Sequence, residues 1–131
     1  MILDTSFLVD FIRGRDIKTK EKSEELDKKF VIKAISTITL MELWKGAMQS
    51  INSDNEKIKI SELLDSLFVY PFNEDDAKKA GEIEAMLRRN GDIIDIEDVM
   101  IAATAIVRNE PLITRNVKHF SKIKGLEVIS Y

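Results

Sequence analysis

Short apolar runs alternate with helical patterns along the whole chain, and this alternation constrains the fold more than any other feature. Five such runs, rich in Ile, Leu and Val, predict strands at residues 2–3, 30–36, 68–72, 112–114 and 126–129. Strands that alternate with helices predict a parallel sheet that is covered on both faces. We therefore predict one α/β domain over residues 1–131.

The spacing of apolar residues predicts the helices between these strands. They are expected at residues 7–12, 16–29, 38–50, 56–67, 73–90, 95–110 and 117–123. From Ile96 onward the helix 95–110 is apolar almost all round, which is typical of a buried helix. Pro71 predicts that the strand 68–72 lies at a sheet edge or stops there.

The helix at residues 38–50 has an apolar stripe that we expect to pack in the core or at an interface. The stripe consists of Leu40, Met41, Trp44, Ala47 and Met48. Glu42 lies off this stripe, so its carboxylate is expected to point elsewhere while the stripe packs.

Composition excludes several classes of protein and of site. The net charge of -3 means that any contact with nucleic acid needs local basic patches or a bound cation. The absence of cysteine excludes disulfides, a thiolate zinc site and a cysteine nucleophile. The longest mostly apolar run, residues 99–107, is shorter than the roughly 20 residues of a membrane span, and no signal-peptide pattern precedes it. We expect a cytoplasmic protein without a membrane segment.

Three acidic residues occupy positions that an α/β fold brings together. Asp4 follows the first strand, Glu42 lies early in the helix after the second strand, and Asp98 lies in the first turn of the buried helix. Ligands of open α/β sheets bind outside the carboxyl ends of the strands, near which the following helices begin. We therefore expect the three carboxylates to cluster.

Clustered carboxylates repel one another and need a proton or a cation. Mg²⁺ and Mn²⁺ prefer oxygen ligands, and an ion held in this way can activate water and neutralise charge on a phosphate. The sequence has no CxxC or HExxH pattern, so zinc is not expected. The single histidine, His119, has no partner in its local context, so we expect an ordinary surface or half-buried position for it.

Each acid also has a purely structural explanation. Asp4 suits a helix N-cap, since Asp is among the preferred residues there. Asp95 and Asp98 have the three-residue spacing of a capping-box-like arrangement. Glu42 by itself suits a solvated helix face. Only the combination of the three acids indicates a site.

Four segments, taken in order, resemble a known family. They are residues 2–6 (ILDTS), 38–43 (ITLMEL) with Gly46, 98–103 (DVMIAA) and 114–120 (TRNVKHF). This pattern resembles PIN-domain proteins and, more narrowly, the VapC-type toxins of prokaryotic toxin–antitoxin pairs. The resemblance covers essentially the whole chain, including its length and the order of its motifs.

The resemblance implies a metal-dependent endoribonuclease and a sheet with the strand order 3-2-1-4-5. Asp4, Glu42 and Asp98 match the acidic positions of the family, which bind Mg²⁺ or Mn²⁺ and position a water to attack the RNA backbone. The resemblance also implies a homodimer and a VapB-type antitoxin, whose tail covers the site, often with a basic residue that reaches the acids.

Several polar residues match positions that support the site in this family. Thr5 or Ser6 and Thr114 match hydroxyl positions. Asn116 falls where many members have an acid, so it brings an oxygen for the metal or for an ordered water but no charge. The missing charge leaves open whether the site binds a second metal ion. Two further acids are candidates to compensate: Asp95 and Glu97.

Substrate contacts and alternative functions complete these expectations. The basic residues expected to guide RNA are Arg13, Arg15, Arg115 and Lys118. One alternative function is a phosphatase with Asp4 as nucleophile, which is disfavoured because position 6 is Ser and not a second Asp. Another alternative is a non-catalytic PIN-like interaction module, whose acids only stabilise the fold through a bound cation.

Overall fold

The computed structural model describes residues 1–14 and 16–131, which form five short strands and seven helices. The strands are β1 (Ile2–Leu3), β2 (Ala34–Ser36), β3 (Phe68–Tyr70), β4 (Leu112–Ile113) and β5 (Val128–Ile129). The helices are α1 (Thr5–Arg13), α2 (Ile17–Lys28), α3 (Thr37–Met48), α4 (Ser53–Leu64), α5 (Glu74–Arg89), α6 (Ile96–Val107) and α7 (Val117–Phe120).

The strands form one parallel sheet in the order β3-β2-β1-β4-β5. The predicted α/β fold, the parallel sheet and the implied strand order are therefore confirmed. β3, which ends just before Pro71, lies at one edge of the sheet, as the proline predicted.

The two central strands join two hydrophobic cores, one on each face of the sheet. Ile2 and Leu112 belong to a core that includes residues of α5, α6 and α7, whereas Leu3 and Ile113 belong to a core with residues of α1, α2 and α4. Successive residues of a strand point to opposite faces, so even a two-residue strand contacts both cores. Because the strands are held on both faces, the residues that follow them, Asp4 and Thr114, have fixed positions at the edge of the sheet.

The helix α6 is buried as predicted. Val99, Ile101, Ala102, Ala103 and Ala105 are fully buried, and the helix packs along α5. Its alanines let neighbouring elements approach closely, and its burial begins at Val99, directly after Asp98.

Two predicted strands begin later than the apolar pattern indicated. The second strand starts at Ala34 and not at residue 30, and the fifth starts at Val128 and not at residue 126. Phe30 is 94% exposed and has a positive φ of 54° just after α2, which is incompatible with an extended strand. Only the last part of the second run reaches its neighbours, where Ala34 pairs with Ile2 and Phe68.

Core packing of the predicted α3 stripe is confirmed only for Ala47, which is buried, and for Leu40, which is partly buried against the core. The buried residues of this helix are Ile38, Thr39, Leu43 and Ala47. Three members of the predicted stripe are exposed instead, by 40–58% of their surface: Met41, Trp44 and Met48. Apolar residues occur on two sides of this helix, so its sequence alone does not select the buried side. Glu42 lies between the two sides and is partly buried.

Among the residues that the structure describes, none of the helices combines the length and hydropathy that a membrane span requires.

Candidate active site

The first predicted acid, Asp4, caps α1 directly after β1. Its Oδ1 accepts a 2.8 Å hydrogen bond from the backbone N–H of Thr5, which confirms the N-cap role. Its Oδ2 accepts two further hydrogen bonds of 2.7 Å, from the hydroxyls of Ser6 and Thr114. The residue is only 4% exposed. Asp4 is thus both a helix cap and a carboxylate fixed at the carboxyl ends of two strands.

The sheet register explains why Thr114 meets Asp4. Leu3 pairs with Ile113 in the parallel ladder between β1 and β4, so the next residue of each strand lies at the same edge. The Thr114 hydroxyl also accepts a 3.0 Å hydrogen bond from the backbone N–H of Asn116. One buried side chain therefore links Asp4 to the loop that leads into α7.

The second predicted acid, Glu42, approaches the same place from α3. Its Oε2 accepts a hydrogen bond from the hydroxyl of Thr5, the residue after Asp4. Burial raises the pKa of Glu42, and the negative charges of Asp4 and Glu97 raise it further against the opposing hydrogen bond from Thr5. The structure therefore brings Glu42 into the electrostatic field of the other acids.

The third predicted acid, Asp98, belongs to the same group. Burial raises the pKa of Asp98 to about 6, and the charges of Asp4, Glu42 and Asp95 contribute to this increase. Asp95 occupies the N-cap position of α6, as considered, but its side chain makes no capping hydrogen bond, so the capping box with Asp98 does not form. The Asp98 carboxylate remains available to the acidic group.

The loop after β4 brings Asn116 and His119 beside these acids. The side-chain nitrogen of Asn116 lies 2.8 Å from Nδ1 of His119, and the same Nδ1 lies 3.8 Å from Oδ2 of Asp98. The expected half-exposed position of His119 is confirmed, but the expectation that it lacks partners is wrong. The three-residue spacing from Asn116 on one helical turn was the only signal for this contact in the sequence.

The acids retain oxygen lone pairs that protein groups do not use. Both hydroxyl contacts of Asp4 fall on Oδ2, whereas Oδ1 accepts one backbone hydrogen bond. A carboxylate offers about four acceptor positions, so Oδ1 keeps one of them. Glu42 accepts only through Oε2 among the described residues. The group therefore offers several oxygen ligands and an excess of negative charge.

This donor set fits a hard divalent cation. In the part of the chain that the structure describes, no three Asp, Glu or His side chains come close enough to hold a metal ion by themselves. Mg²⁺ is commonly held by one or two carboxylates while waters fill the remaining positions. An open group of oxygen ligands suits such an ion better than Zn²⁺, which takes nitrogen and sulfur ligands in a closed tetrahedron.

The residues expected to guide RNA fall into two kinds. Arg115 is paired with Asp10, with Nη1 2.9 Å from Oδ1 and 2.7 Å from Oδ2. Arg13 and Lys118 are exposed, and neither forms an ion pair with any residue in 1–14 or 16–131. Arg15 lies outside the described residues.

A groove of about 110 Å³ lies beside Glu42, between α1, α3 and α4. Its lining combines apolar side chains with charged ones: Val9, Ile12, Arg13, Glu42, Leu43, Gly46, Glu56 and Ile60. The groove therefore joins an apolar surface directly to one of the clustered acids.

Comparison of the sequence with protein families gives a match over nearly the whole chain. The PIN domain family matches residues 1–126. The ribonuclease VapC1 of Rickettsia felis is 35% identical over 134 aligned residues, which cover 99% of this chain and 95% of that protein. A tRNA(fMet)-specific endonuclease VapC of Salmonella typhimurium is 31% identical, with coverage of 83% of this chain and 86% of that protein.

The fold is also similar to a solved structure. The crystal structure of VapBC2 from Rickettsia felis, bound to a DNA fragment from their promoter, superposes with a TM-score of 0.92 at 30% sequence identity. The match covers 99% of this chain and 97% of that chain.

Proposed function

The chain belongs to the PIN-domain family and, within it, to the VapC ribonucleases, and from this membership we propose that it is the endoribonuclease toxin of a VapBC-type pair. One observation carries the proposal for this particular chain: Thr5, the residue after Asp4, donates a hydrogen bond to Glu42, and burial acts with the charges of Asp4 and Glu42 to raise the pKa of Asp98. A fold gains no stability from such repulsion, so the cluster indicates a site for a cation.

The proposed cation is Mg²⁺ or Mn²⁺, which Asp4, Glu42 and Asp98 would hold together with bound waters. Family nucleases depend on a metal ion. When bound, a divalent ion lowers the pKa of a water ligand and neutralises the charge that develops on a phosphate. The side-chain oxygen of Asn116 is proposed to bind the cation or to order one of its water ligands, and it adds no charge to the site.

The other side chains of the site hold these acids in place. Ser6 and Thr114 both donate to Oδ2 of Asp4 and so fix this oxygen. Oδ1 accepts one backbone hydrogen bond and keeps a free lone pair for a cation. Thr5 fixes one oxygen of Glu42 in the same way. Because these hydroxyls are already arranged before substrate arrives, the site needs little reorganisation during the reaction.

RNA is the proposed substrate, and a VapB-type antitoxin is the proposed partner. The ribonuclease relatives support the first assignment, and the VapBC2 complex supports the second. The groove beside Glu42 suits an antitoxin segment that carries apolar residues and one basic residue, since its lining combines apolar side chains with the carboxylates of Glu42 and Glu56. If the basic side chain of the antitoxin paired with Glu42, this carboxylate could no longer bind the metal ion.

Three finer assignments complete the proposal. We place the protein in the cytoplasm, where its RNA substrates occur. We propose a homodimer, for which the exposed face of α3 around Trp44 offers an apolar surface. The stretch 1–131 acts as one PIN-like unit in this proposal.

The test is cleavage of labelled RNA by purified protein in Mg²⁺ or Mn²⁺, compared with EDTA. Initiator tRNA is the first probe, because a relative is named as specific for it. The control is an Asp98→Asn variant whose melting curve shows that it is folded at the assay temperature. Metal-dependent cleavage that the folded variant lacks would support the proposal. Equal cleavage by both proteins would contradict the assignment of Asp98 and would point to a contaminating nuclease.

A further inference from the structure

His119 has an unusual position for the only histidine of the chain. It lies on α7, one turn after Asn116, and its Nδ1 is 2.8 Å from the Asn116 side-chain nitrogen. The same ring nitrogen lies 3.8 Å from Oδ2 of Asp98. Nδ1 of His119 therefore lies between the neutral amide of Asn116 and the carboxylate of Asp98.

The packing of α7 keeps this geometry fixed. Phe120, the next residue, is fully buried in the core, and the backbone N–H groups of both His119 and Phe120 donate to the carbonyl of Asn116. The backbone N–H of Asn116 in turn donates to the Thr114 hydroxyl, which contacts Asp4. Asn116 is thus held from one side by the Asp4 group and from the other by His119.

The hydrogen bond to His119 decides which end of the Asn116 amide faces the acids. An amide has a donor end and an acceptor end. Where the amide nitrogen donates to Nδ1 of His119, Nδ1 is the acceptor, and the Asn116 oxygen, on the other arm of the amide, is directed away from the ring. A free amide next to carboxylates would instead direct its nitrogen at them, because an N–H group is attracted to negative charge.

We propose that His119 is a positioning residue, which holds Asn116 with its side-chain oxygen, and not its nitrogen, available to the acidic site. The inference rests on the proposed function, since it concerns the same site. It explains how a chain with an amide at this position presents an oxygen to a cation without a fourth charge.

A core role does not account for His119. Its side chain is 45% exposed, and it belongs to neither hydrophobic core. Removal of the ring should therefore leave the fold nearly intact and act on the site. Groups that orient ligands of a metal typically change metal affinity or activity by about 10- to 100-fold when they are removed.

The test compares three substitutions of His119 that differ in where they place a polar atom. Oδ1 of Asn is attached to Cγ like Nδ1 of His, so His119→Asn keeps a partner for Asn116. In Gln the polar atoms lie one bond further out, and Ala has none, so His119→Gln and His119→Ala remove the partner. Ser121→Ala, an exposed change just after the same helix, is the matched control.

Two readouts are measured: Mn²⁺ affinity by electron paramagnetic resonance, and the rate of RNA cleavage. We expect His119→Ala and His119→Gln to weaken Mn²⁺ binding and cleavage by about tenfold or more. His119→Asn and Ser121→Ala should stay within about twofold of the wild type. Equal losses for His119→Asn and His119→Ala, or no loss for either, would overturn the inference.

A double-mutant cycle tests whether His119 acts through Asn116. In an Asn116→Ala background, the substitution His119→Ala should have no further effect on Mn²⁺ affinity, because the group that it positions is gone. A full additional loss would mean that His119 acts on Asp98 directly and would overturn the inference. If the wild type binds Mn²⁺ but cleaves no RNA, the proposed function fails while the Mn²⁺ measurements still decide the role of His119.

Discussion

Thr114 donates a 2.7 Å hydrogen bond to Asp4 across two adjacent strands, between residues that are 110 positions apart. Thr114 is fully buried and Asp4 nearly so. The same hydroxyl accepts the backbone N–H of Asn116. One threonine therefore couples the stability of the fold to the orientation of the acid at the end of β1.

The first prediction concerns Thr114→Val, which keeps the side-chain shape and removes the hydroxyl. The change leaves the Asn116 N–H without its acceptor and removes one of three donors to Asp4. We expect the free energy of unfolding to fall by about 1–3 kcal/mol and cleavage to decrease. Urea denaturation and initial cleavage rates measure the two effects.

The matched control is Thr104→Val, since Thr104 is equally buried but its hydroxyl only donates to the carbonyl of Met100 within α6. This control should cleave RNA at nearly the wild-type rate. An equal loss of cleavage in both variants would mean that the threonine at the site has no special role.

The second prediction concerns stabilisation by metal ions. Binding of Mg²⁺ or Mn²⁺ to the folded protein should add about 2.7 kcal/mol to the free energy of unfolding at 100 times the dissociation constant. Glu42→Gln and Asp98→Asn should reduce this gain, because each removes a proposed ligand. Melting curves with increasing Mn²⁺ give the measurement, and Glu127→Gln, a substitution of an exposed acid, is the control. A gain that survives in all variants would place the cation elsewhere.

The third prediction is a pH dependence without metal. The pKa of Asp98 is about 6 in the folded protein, whereas an unfolded Asp has a pKa of about 3.9. Folding therefore takes up protons between these values, so the free energy of unfolding should fall as the pH rises from 4 to 7. Glu42, with its pKa raised as well, contributes in the same direction.

Chemical denaturation in EDTA at several pH values measures this slope. Asp98→Asn should make the slope less negative, because the substituted side chain no longer titrates. The same variant should be more stable than the wild type at pH 7 without metal, since one repulsive charge is gone. A slope that Asp98→Asn leaves unchanged would contradict the assigned cause.

The sequence was sufficient to predict the sheet and the position of Asp4 at its edge. Both depend on position along the chain: a residue that follows a buried strand lies at the edge of the sheet. Asp4 and Thr114 follow β1 and β4 in this way, and the register of the two strands brings them together. The alternation of strands and helices is strong enough to predict the parallel arrangement without long-range information.

Two features needed the three-dimensional structure. The buried side of α3 was predicted only in part, because apolar residues such as Leu43 and Trp44 occur on different sides and only packing selects between them. The contact between His119 and Asp98 joins two helices that are separate in sequence, so no local pattern indicates it. Both features depend on how helices sit on the sheet.

The fourth prediction concerns a buried ion pair remote from the acids. The Arg108 guanidinium lies 2.6 Å from Oδ1 and 3.1 Å from Oδ2 of Asp76, which is fully buried. Arg108→Met would leave this carboxylate without its partner, so we expect a loss of about 3–5 kcal/mol in the free energy of unfolding. Urea denaturation is the measurement.

The double variant Arg108→Met with Asp76→Asn should recover part of that loss, because the unpaired buried charge is then absent. Cleavage by the folded fraction of either variant should be unchanged. Full destabilisation in the double variant would mean that packing of the Arg108 side chain against Tyr70, and not the ion pair, is what matters.

The last prediction separates the basic residues by their surroundings. Arg115 is already paired with Asp10, and the hydroxyl of Tyr131 donates to the same carboxylate. Arg13 and Lys118 have no such pair among the described residues. A paired guanidinium offers less net charge to a phosphate, so loss of Arg115 should affect RNA binding less than loss of the other two.

The salt dependence of RNA affinity distinguishes these cases. For single-stranded RNA, the slope of log affinity against log salt is negative, and each lost phosphate contact reduces its magnitude by about 0.7. The variant Arg13→Ala with Lys118→Ala should therefore reduce the magnitude of the slope by about 1.4, and Arg115→Ala should reduce it by clearly less than about 0.7. Fluorescence anisotropy with a labelled RNA, in Ca²⁺ or EDTA to prevent cleavage, gives the slopes. An unchanged slope in the double variant would mean that RNA approaches the acids over a different surface.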